Sequence, residues 1–249
     1  LVAAGYKEVV LIGIHLGCYG KELAMQGKPR LTLCDAVKAA LSVEGMERVR
    51  LGSLESVEVE PRLLQLMQED NRLQRHLHLP LQSGCDKILQ SMHRPYDTEK
   101  FRKLLAEIRS VLPDVAITTD VIVGFPGETE EDFQTTMAFA RECGFAKMHI
   151  FPYSMRKGTP AAQMVQIPNS VKDERAKRLG EVDKELMLKA MAEMVGTEAE
   201  VLFEQPVDSE HMEGLCGPYM RVVVPGTSEL AGTIAKVKLT GVVEDWLTG

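Results

Sequence analysis

Asp120-Val121-Ile122-Val123-Gly124-Phe125-Pro126-Gly127-Glu128-Thr129 is the stretch that decides the fold. Upstream, Val115-Ala116-Ile117-Thr118-Thr119 opens a β-branched run that extends to Val123. The run is too apolar for a strand with one wet face and fits one buried on both faces. Gly124, Pro126 and Gly127 then break it in a tight turn, and Thr129-Glu130-Glu131-Asp132 has the makings of a capping box. A buried parallel strand turning sharply into a helix puts Gly124 to Glu128 at the strand's carboxyl end, where α/β enzymes build their sites. A plain βα turn would carry the same residues, so the other strand ends have to decide between the two.

Four more strand ends share the pattern. Val9 to Ile14 reads as a buried strand ending in His15-Leu16-Gly17-Cys18-Tyr19-Gly20, and Arg48 to Ser53 as a second followed by Leu54-Glu55. His76-Leu77-His78-Leu79-Pro80-Leu81 alternates with period two and ends in Gln82-Ser83-Gly84. His76 and His78 share a face, but nothing completes a metal-ligand set, so hydrogen-bonding roles are favoured. Lys147 to Phe151 is a fifth strand, ending in Pro152-Tyr153-Ser154. Helices are expected over Leu31–Leu41, from Pro61, over Asp86–Met92, over Thr98–Val111, over Thr129–Cys143, and over the long, charged Val171–Val195. Strands that alternate with helices predict a parallel sheet with right-handed crossovers. From Gly196 the character changes to short strands separated by Gly and Pro, and residues 196–249 read as a small all-β barrel after a core of residues 1–195.

The bulk properties are those of a globular protein: 249 residues, 45% hydrophobic, 26% charged, net charge −7. That charge weighs against nucleic-acid binding by charge alone. Cys18, Cys34, Cys85, Cys143 and Cys216 are scattered and odd in number, so neither a disulfide framework nor a metal site is signalled. With no apolar span or signal sequence in view, a cytoplasmic protein with no membrane partner is expected.

Four motifs in order resemble the radical S-adenosylmethionine methylthiotransferases. They are Arg50-Leu51-Gly52-Ser53-Leu54-Glu55, His76 to Gly84, Thr119 to Thr129, and Phe151-Pro152-Tyr153-Ser154 with Gly158-Thr159-Pro160-Ala161-Ala162. The resemblance covers about residues 1 to 195, and the tail resembles the TRAM barrel that ends these enzymes. It implies a partial radical-SAM (β/α) barrel followed by a small all-β TRAM-like barrel. The loop Gly13 to Gly20 and the Phe-Pro-Tyr-Ser run look like the branch that methylthiolates threonylcarbamoyladenosine beside the tRNA anticodon. The isopentenyladenosine branch and the branch acting on a ribosomal-protein aspartate are the alternatives. The resemblance implies S-adenosylmethionine and two [4Fe–4S] clusters in the complete protein. It places Ser53 and Glu55 near the amino-acid end or ribose of S-adenosylmethionine, Gln82 and Ser83 on the ribose, and Gly124 and Phe125 beside the adenine. His15, Tyr153, Ser154 and Arg156 fall on the substrate side, and Arg94, Arg156 and Lys157 are the expected phosphate contacts of the anticodon loop.

Two departures matter. The family's CxxxCxxC is absent from this sequence, so the chain is expected to be a piece of a longer protein, unable to do radical chemistry alone and with an unpaired apolar sheet edge. From Thr197 onward three basic residues face nine acidic ones, which suits a basic protein partner better than RNA. A non-catalytic RNA- or ribosome-binding remnant, and an unrelated barrel enzyme using Glu55, His76 and His78 as acids and bases, are the competing readings.

Overall fold

The computed structural model describes residues 1–249, the side chain of Ala24 excepted. The elements run β1 (Glu8–Leu11), α1 (Lys21–Met25), α2 (Leu33–Leu41), β2 (Arg48–Leu51), α3 (Pro61–Glu69), β3 (His76–His78), α4 (Asp86–Ser91), α5 (Thr98–Val111), β4 (Ala116–Val123), α6 (Glu130–Cys143), β5 (Lys147–Pro152) and α7 (Asn169–Met194). The tail supplies β6 (Glu198–Pro206), β7 (His211–Cys216), β8 (Arg221–Pro225), β9 (Ile234–Lys238), β10 (Gly241–Val243) and β11 (Trp246–Thr248). The expected alternation of five strands with helices is present, and the pairings β1–β2 and β4–β5 are parallel. The chain divides into two compact units. One is residues 1–78, 108–116 and 188–249; the other is residues 79–107 and 117–187.

In the first unit, Glu8 to Leu11 lie in register with Arg48 to Leu51. The other edge of β2 is taken by Val49 N–H donating to Arg72 O (2.8 Å) and Gln74 N–H donating to Val49 O (2.9 Å). All four residues of β2, hydrogen-bonded on both edges, are buried. Two of them are arginines. The Arg48 guanidinium donates to Leu215 O (3.2 Å) and Glu200 O (2.6 Å), and that of Arg50 to Gly217 O (2.9 Å), Cys216 O (3.4 Å) and the Glu8 carboxylate (3.0 Å). Tyr219 covers this cluster: Arg50 lies 4.8 Å from its ring centroid, and His76 stacks on it at 5.0 Å. The expected buried strand Val9–Ile14 stops at Leu11 and is not buried: Val10 in β1, and Ile12 and Ile14 beyond it, are exposed, Ile14 at 97%.

The tail forms one six-stranded sheet, β10-β11-β8-β7-β6-β9, whose ladder ends at β10 on one side and β9 on the other. The compact all-β segment is as expected, but among the described residues no pairing closes it into a barrel. Three of its strands, β7, β10 and β11, are missing from the sequence reading: β7 contains Gly214, and the other two are only three residues long.

In the second unit β4 is again paired on both edges. Thr118 to Val123 lie in register with Lys147 to Pro152. Opposite, Leu79 N–H donates to Thr118 O (2.9 Å), Gln82 N–H to Asp120 O (2.8 Å), and Ile122 N–H to Gln82 O (2.9 Å). Phe101, fully buried, meets the rings of Tyr96, Phe139 and Phe145 at 6.1 to 6.5 Å. Burying such a ring contributes about 2 kcal/mol. Gly84 is required by close approach: a Cβ there would lie 2.9 Å from Cα of Thr136 in α6.

Arg50→Met is expected to lower stability by about 3–5 kcal/mol, because the Glu8 carboxylate loses its buried partner and tail carbonyls lose their donors. Urea unfolding followed at Trp246, the one tryptophan, checks it. A midpoint equal to that of the parent chain contradicts the burial argument.

Candidate functional site

The turn after β4 is built around one carboxylate. Gly124 has φ +71°, and a Cβ there would lie 2.4 Å from Lys172 Cγ, so glycine is required twice over. Its N–H donates to Glu128 Oε2 (2.7 Å), and the same oxygen accepts from Arg175 Nη1 (2.7 Å). Both side chains are almost wholly buried. Burial pushes the Glu128 carboxyl up, against the pull of the Gly124 N–H and the Arg175 guanidinium. The helix that follows begins as the sequence predicts. Thr129 Oγ1 accepts from Asp132 N–H (3.2 Å), and Asp132 Oδ2 accepts from Thr129 N–H (2.9 Å). Burial raises the Asp132 carboxyl, but the Lys87 ammonium, the Thr129 N–H and the Cys85 thiol outweigh it and hold it at about 2.

Beside this turn lies a cleft of about 820 Å³, within the range of roughly 300–1,000 Å³ typical of ligand sites. Its floor is Ile122, Phe125, Phe151 and Tyr153. Its polar groups are Gln82, Ser91, Asp120, Ser154 and Thr159, and His93, Arg94 and Arg156 add basic character. Phe125 and Tyr153 meet edge-on at 5.2 Å over a small core of Cys85 and Ile88. Lys172, itself buried, donates to Tyr153 O (3.0 Å) and lies 5.4 Å over the Tyr153 ring. Two lining residues, Gln82 (φ +68°) and His93 (φ +56°), hold left-handed backbone, a strain of about 1–2 kcal/mol each that persists where surroundings over-determine it. At Gln82 the surroundings are the bonds to Asp120 and Ile122.

Of the residues expected at the site, Gln82, Phe125, Tyr153, Ser154 and Arg156 share this cleft. Ser83 and Gly124 do not line it. Ser83 is fully buried, with its hydroxyl against Thr136 Oγ1 (3.3 Å) and the Cys85 N–H (3.2 Å), and the Gly124 N–H is taken by Glu128. Ser53, Glu55 and His15 belong to the first unit. There Ser53 bridges to His78, half-buried Glu55 caps the short turn Ser56–Glu58, and exposed His15 precedes the turn Leu16–Cys18. Sequence reading missed His93 and Asp120, the one just past the expected helix Asp86–Met92 and the other within the expected strand. It also missed the brackets Glu128–Arg175 and Lys172–Tyr153, which join residues far apart in the chain.

A sulfonium nucleoside fits the cleft: apolar and aromatic walls for a base, with amide and carboxylate groups for hydroxyls. An iron–sulfur cluster does not fit the cysteines of this chain. Four of the five are buried, and among the described residues no three His, Cys, Asp or Glu side chains gather as metal ligands. No described helix is long and apolar enough to cross a membrane.

Residues 30–140 match the family model of the Radical SAM superfamily. The threonylcarbamoyladenosine tRNA methylthiotransferase of Bacillus subtilis is 38% identical over 244 residues, 96% of this chain and 53% of that protein. This chain is a relative of the radical SAM methylthiotransferases. The tRNA-2-methylthio-N6-dimethylallyladenosine synthase of Desulfitobacterium hafniense is also 38% identical, over 95% of this chain and 53% of its own length. The synthase so named in Caldicellulosiruptor saccharolyticus is 38% identical over the whole chain and 52% of its own length. Among solved structures, the radical SAM enzyme coproporphyrinogen III oxidase of Escherichia coli overlays on 76% of this chain and 50% of its own, at 16% identity and a TM-score of 0.49. The chain spans about half the length of the curated relatives it matches.

Asp132→Asn tests the cap by pH. The folded carboxyl titrates at about 2, below its ordinary 3.8, so its stabilisation is present above about pH 4 and lost as pH falls toward 2. The variant is expected to lose about 1 kcal/mol at pH 7, since the Lys87 ammonium is largely exposed, and to match the parent chain near pH 2. A deficit independent of pH contradicts the assignment. Gly124→Ala is expected to cost about 2–4 kcal/mol, from left-handed strain plus displacement of Lys172, in thermal unfolding. A loss below about 1 kcal/mol contradicts the close approach.

Proposed function

We propose that this chain is the part of a tRNA methylthiotransferase that binds S-adenosylmethionine and substrate, and that the complete protein adds a methylthio group at C2 of threonylcarbamoyladenosine next to the anticodon. The observation that carries the reading is the cleft at the carboxyl ends of β4 and β5. It collects Gln82, Phe125, Tyr153, Ser154 and Arg156 in a chain 38% identical, over 96% of its length, to an enzyme named for that substrate. Relatives named for dimethylallyladenosine are equally identical, which makes that base the second reading. The choice between them rests on the loop Gly13 to Gly20 and on the run Phe151-Pro152-Tyr153-Ser154, both of which resemble the threonylcarbamoyl branch.

In the complete protein, S-adenosylmethionine together with an iron–sulfur cluster would supply radical chemistry at an unreactive C–H. The resemblance assigns two such clusters to the complete protein, and the cysteines of this chain hold neither. The roles left to this chain are to bind, orient and exclude water. Gln82, fixed in a left-handed conformation, presents its amide to a ribose hydroxyl. Phe125 flanks the adenine. Ser83 and Gly124 act as positioning residues, because their polar groups are already engaged within the fold. Ser53 and Glu55 hold the amino-acid end or ribose. His15, Tyr153, Ser154 and Arg156 face the target nucleoside, and Arg94 and Lys157 approach its phosphates. In the same reading residues 1–195 are the catalytic core. Residues 196–249 are a TRAM-like segment whose exposed acids, Glu198, Glu200, Glu210 and Asp245 among them, would repel RNA phosphate and suit a basic protein partner. Such a protein works in the cytoplasm.

The test is calorimetric titration of the complete protein with S-adenosylmethionine. Gln82→Ala and Glu55→Ala are each expected to weaken binding about tenfold, the loss of one hydrogen bond to a buried polar group. Unchanged affinity in both variants removes these residues from the cofactor site.

A further inference from the structure

The cleft contains an aromatic ring to which the proposed function gives no role. Phe151 lies opposite Ile122 in the β4–β5 register, and both line the cleft. The other two rings are fixed: Phe125 is buried, and Tyr153 is held by Phe125 on one side and Lys172 on another. Phe151 is 50% exposed and has no ring or cation partner among the described residues. The cleft that it lines is apolar at Pro152 and Met164 and basic at Arg94 and Arg156. Leaving a phenyl face in water forgoes the gain of covering it, and half-exposed aromatic surface inside a ligand cleft marks a contact surface. The chemistry of the neighbours selects the occupant. A planar apolar face beside an uncompensated guanidinium matches one unpaired nucleotide, with its base on the ring and its phosphate on the arginine. A membrane surface would need a broader apolar face than a single ring inside a cleft.

We infer that Phe151 is a stacking platform for a loop base adjacent to the reacting adenosine, with Arg156 taking the phosphate between the two. The inference rests on the tRNA reading of the cleft and adds a residue that sets which loop nucleotides are accepted. Stacking tolerates any base but favours purines, and it adds nothing to the salt dependence of binding, whereas a phosphate contact does.

The experiment measures binding of a fluorescent RNA hairpin with unpaired adenosines in its loop to the complete protein, over a series of salt concentrations. Phe151→Ala is expected to weaken binding about tenfold with the salt slope unchanged, and Phe151→Trp to retain it. Arg156→Ala is expected to weaken binding and reduce the slope by about one. Replacing loop bases one at a time by abasic nucleotides should locate a single position at which the loss and Phe151→Ala are not additive. Full binding by Phe151→Ala, or additivity at every position, overturns the platform while leaving the tRNA reading in place. No binding by the unsubstituted protein overturns both. A change in salt slope with Phe151→Ala would show a displaced loop instead of a lost stack, and overturns the assignment.

Discussion

The turn that forms the site depends on the buried carboxylate of Glu128. A strand hydrogen-bonded on both edges ends abruptly at Gly124, and its first N–H beyond the ladder needs an acceptor away from water. Glu128 Oε2 supplies one, and Arg175 from α7 neutralises the charge that this brings inside. Removing two ions from water costs several kcal/mol each, and their attraction offsets this only with good geometry. Here one oxygen takes two short bonds while Oε1, among the described residues, takes none. The pair is therefore weak as a source of stability. What it fixes is conformation, because the carboxylate joins the end of β4 to α7, and three residues earlier in α7 Lys172 packs against Gly124 and clamps Tyr153. Groups on one helix thus hold both the turn after β4 and the Tyr153 side of the cleft.

A similar use of buried charge recurs in the first unit. Arg48 and Arg50 would normally point to solvent, yet they lie inside and are spent on backbone carbonyls of the tail. Hydrogen bonds from a cation to carbonyls are stronger than neutral ones, and leaving those carbonyls unmet in a buried place would cost about 1–3 kcal/mol each. The tail strands β6 and β7 are therefore tied to β2 by hydrogen bonds from its two arginines. Charge placed this way answers two needs of the fold, which a sequence-level count of net charge does not reveal.

This explains what could be read in the sequence and what could not. The strand from Ala116 to Val123, its cap at Thr129 and Asp132, and helix α5 over Thr98–Val111 follow from local rules: β-branched runs, a capping box and helical periodicity. The candidate cleft was legible as far as its strand ends, at Gln82, Phe125, Tyr153 and Ser154. The remainder was hidden because it depends on pairs distant in the chain. Helix α7 reads as a solvated, charged helix, yet Lys172, Arg175 and Asp183 fall on the same buried stripe as Leu179, Val182 and Leu186. A polar residue on an apolar stripe weakens the periodic signal, and only the fold shows that each has a partner. Gln82 gives no warning of its left-handed backbone, since glutamine has no special liking for that region.

Together these features describe a rigid aromatic cleft with positive charge at its edge, at the carboxyl ends of parallel strands, in a chain related to tRNA methylthiotransferases. The proposed substrate is put to the test by mass spectrometry of tRNA nucleosides from a host lacking its own methylthiotransferases, with and without the complete protein. A methylthio group on threonylcarbamoyladenosine and none on isopentenyladenosine is the expected result. Methylthiolation of isopentenyladenosine instead, or of neither nucleoside, would rule that substrate out.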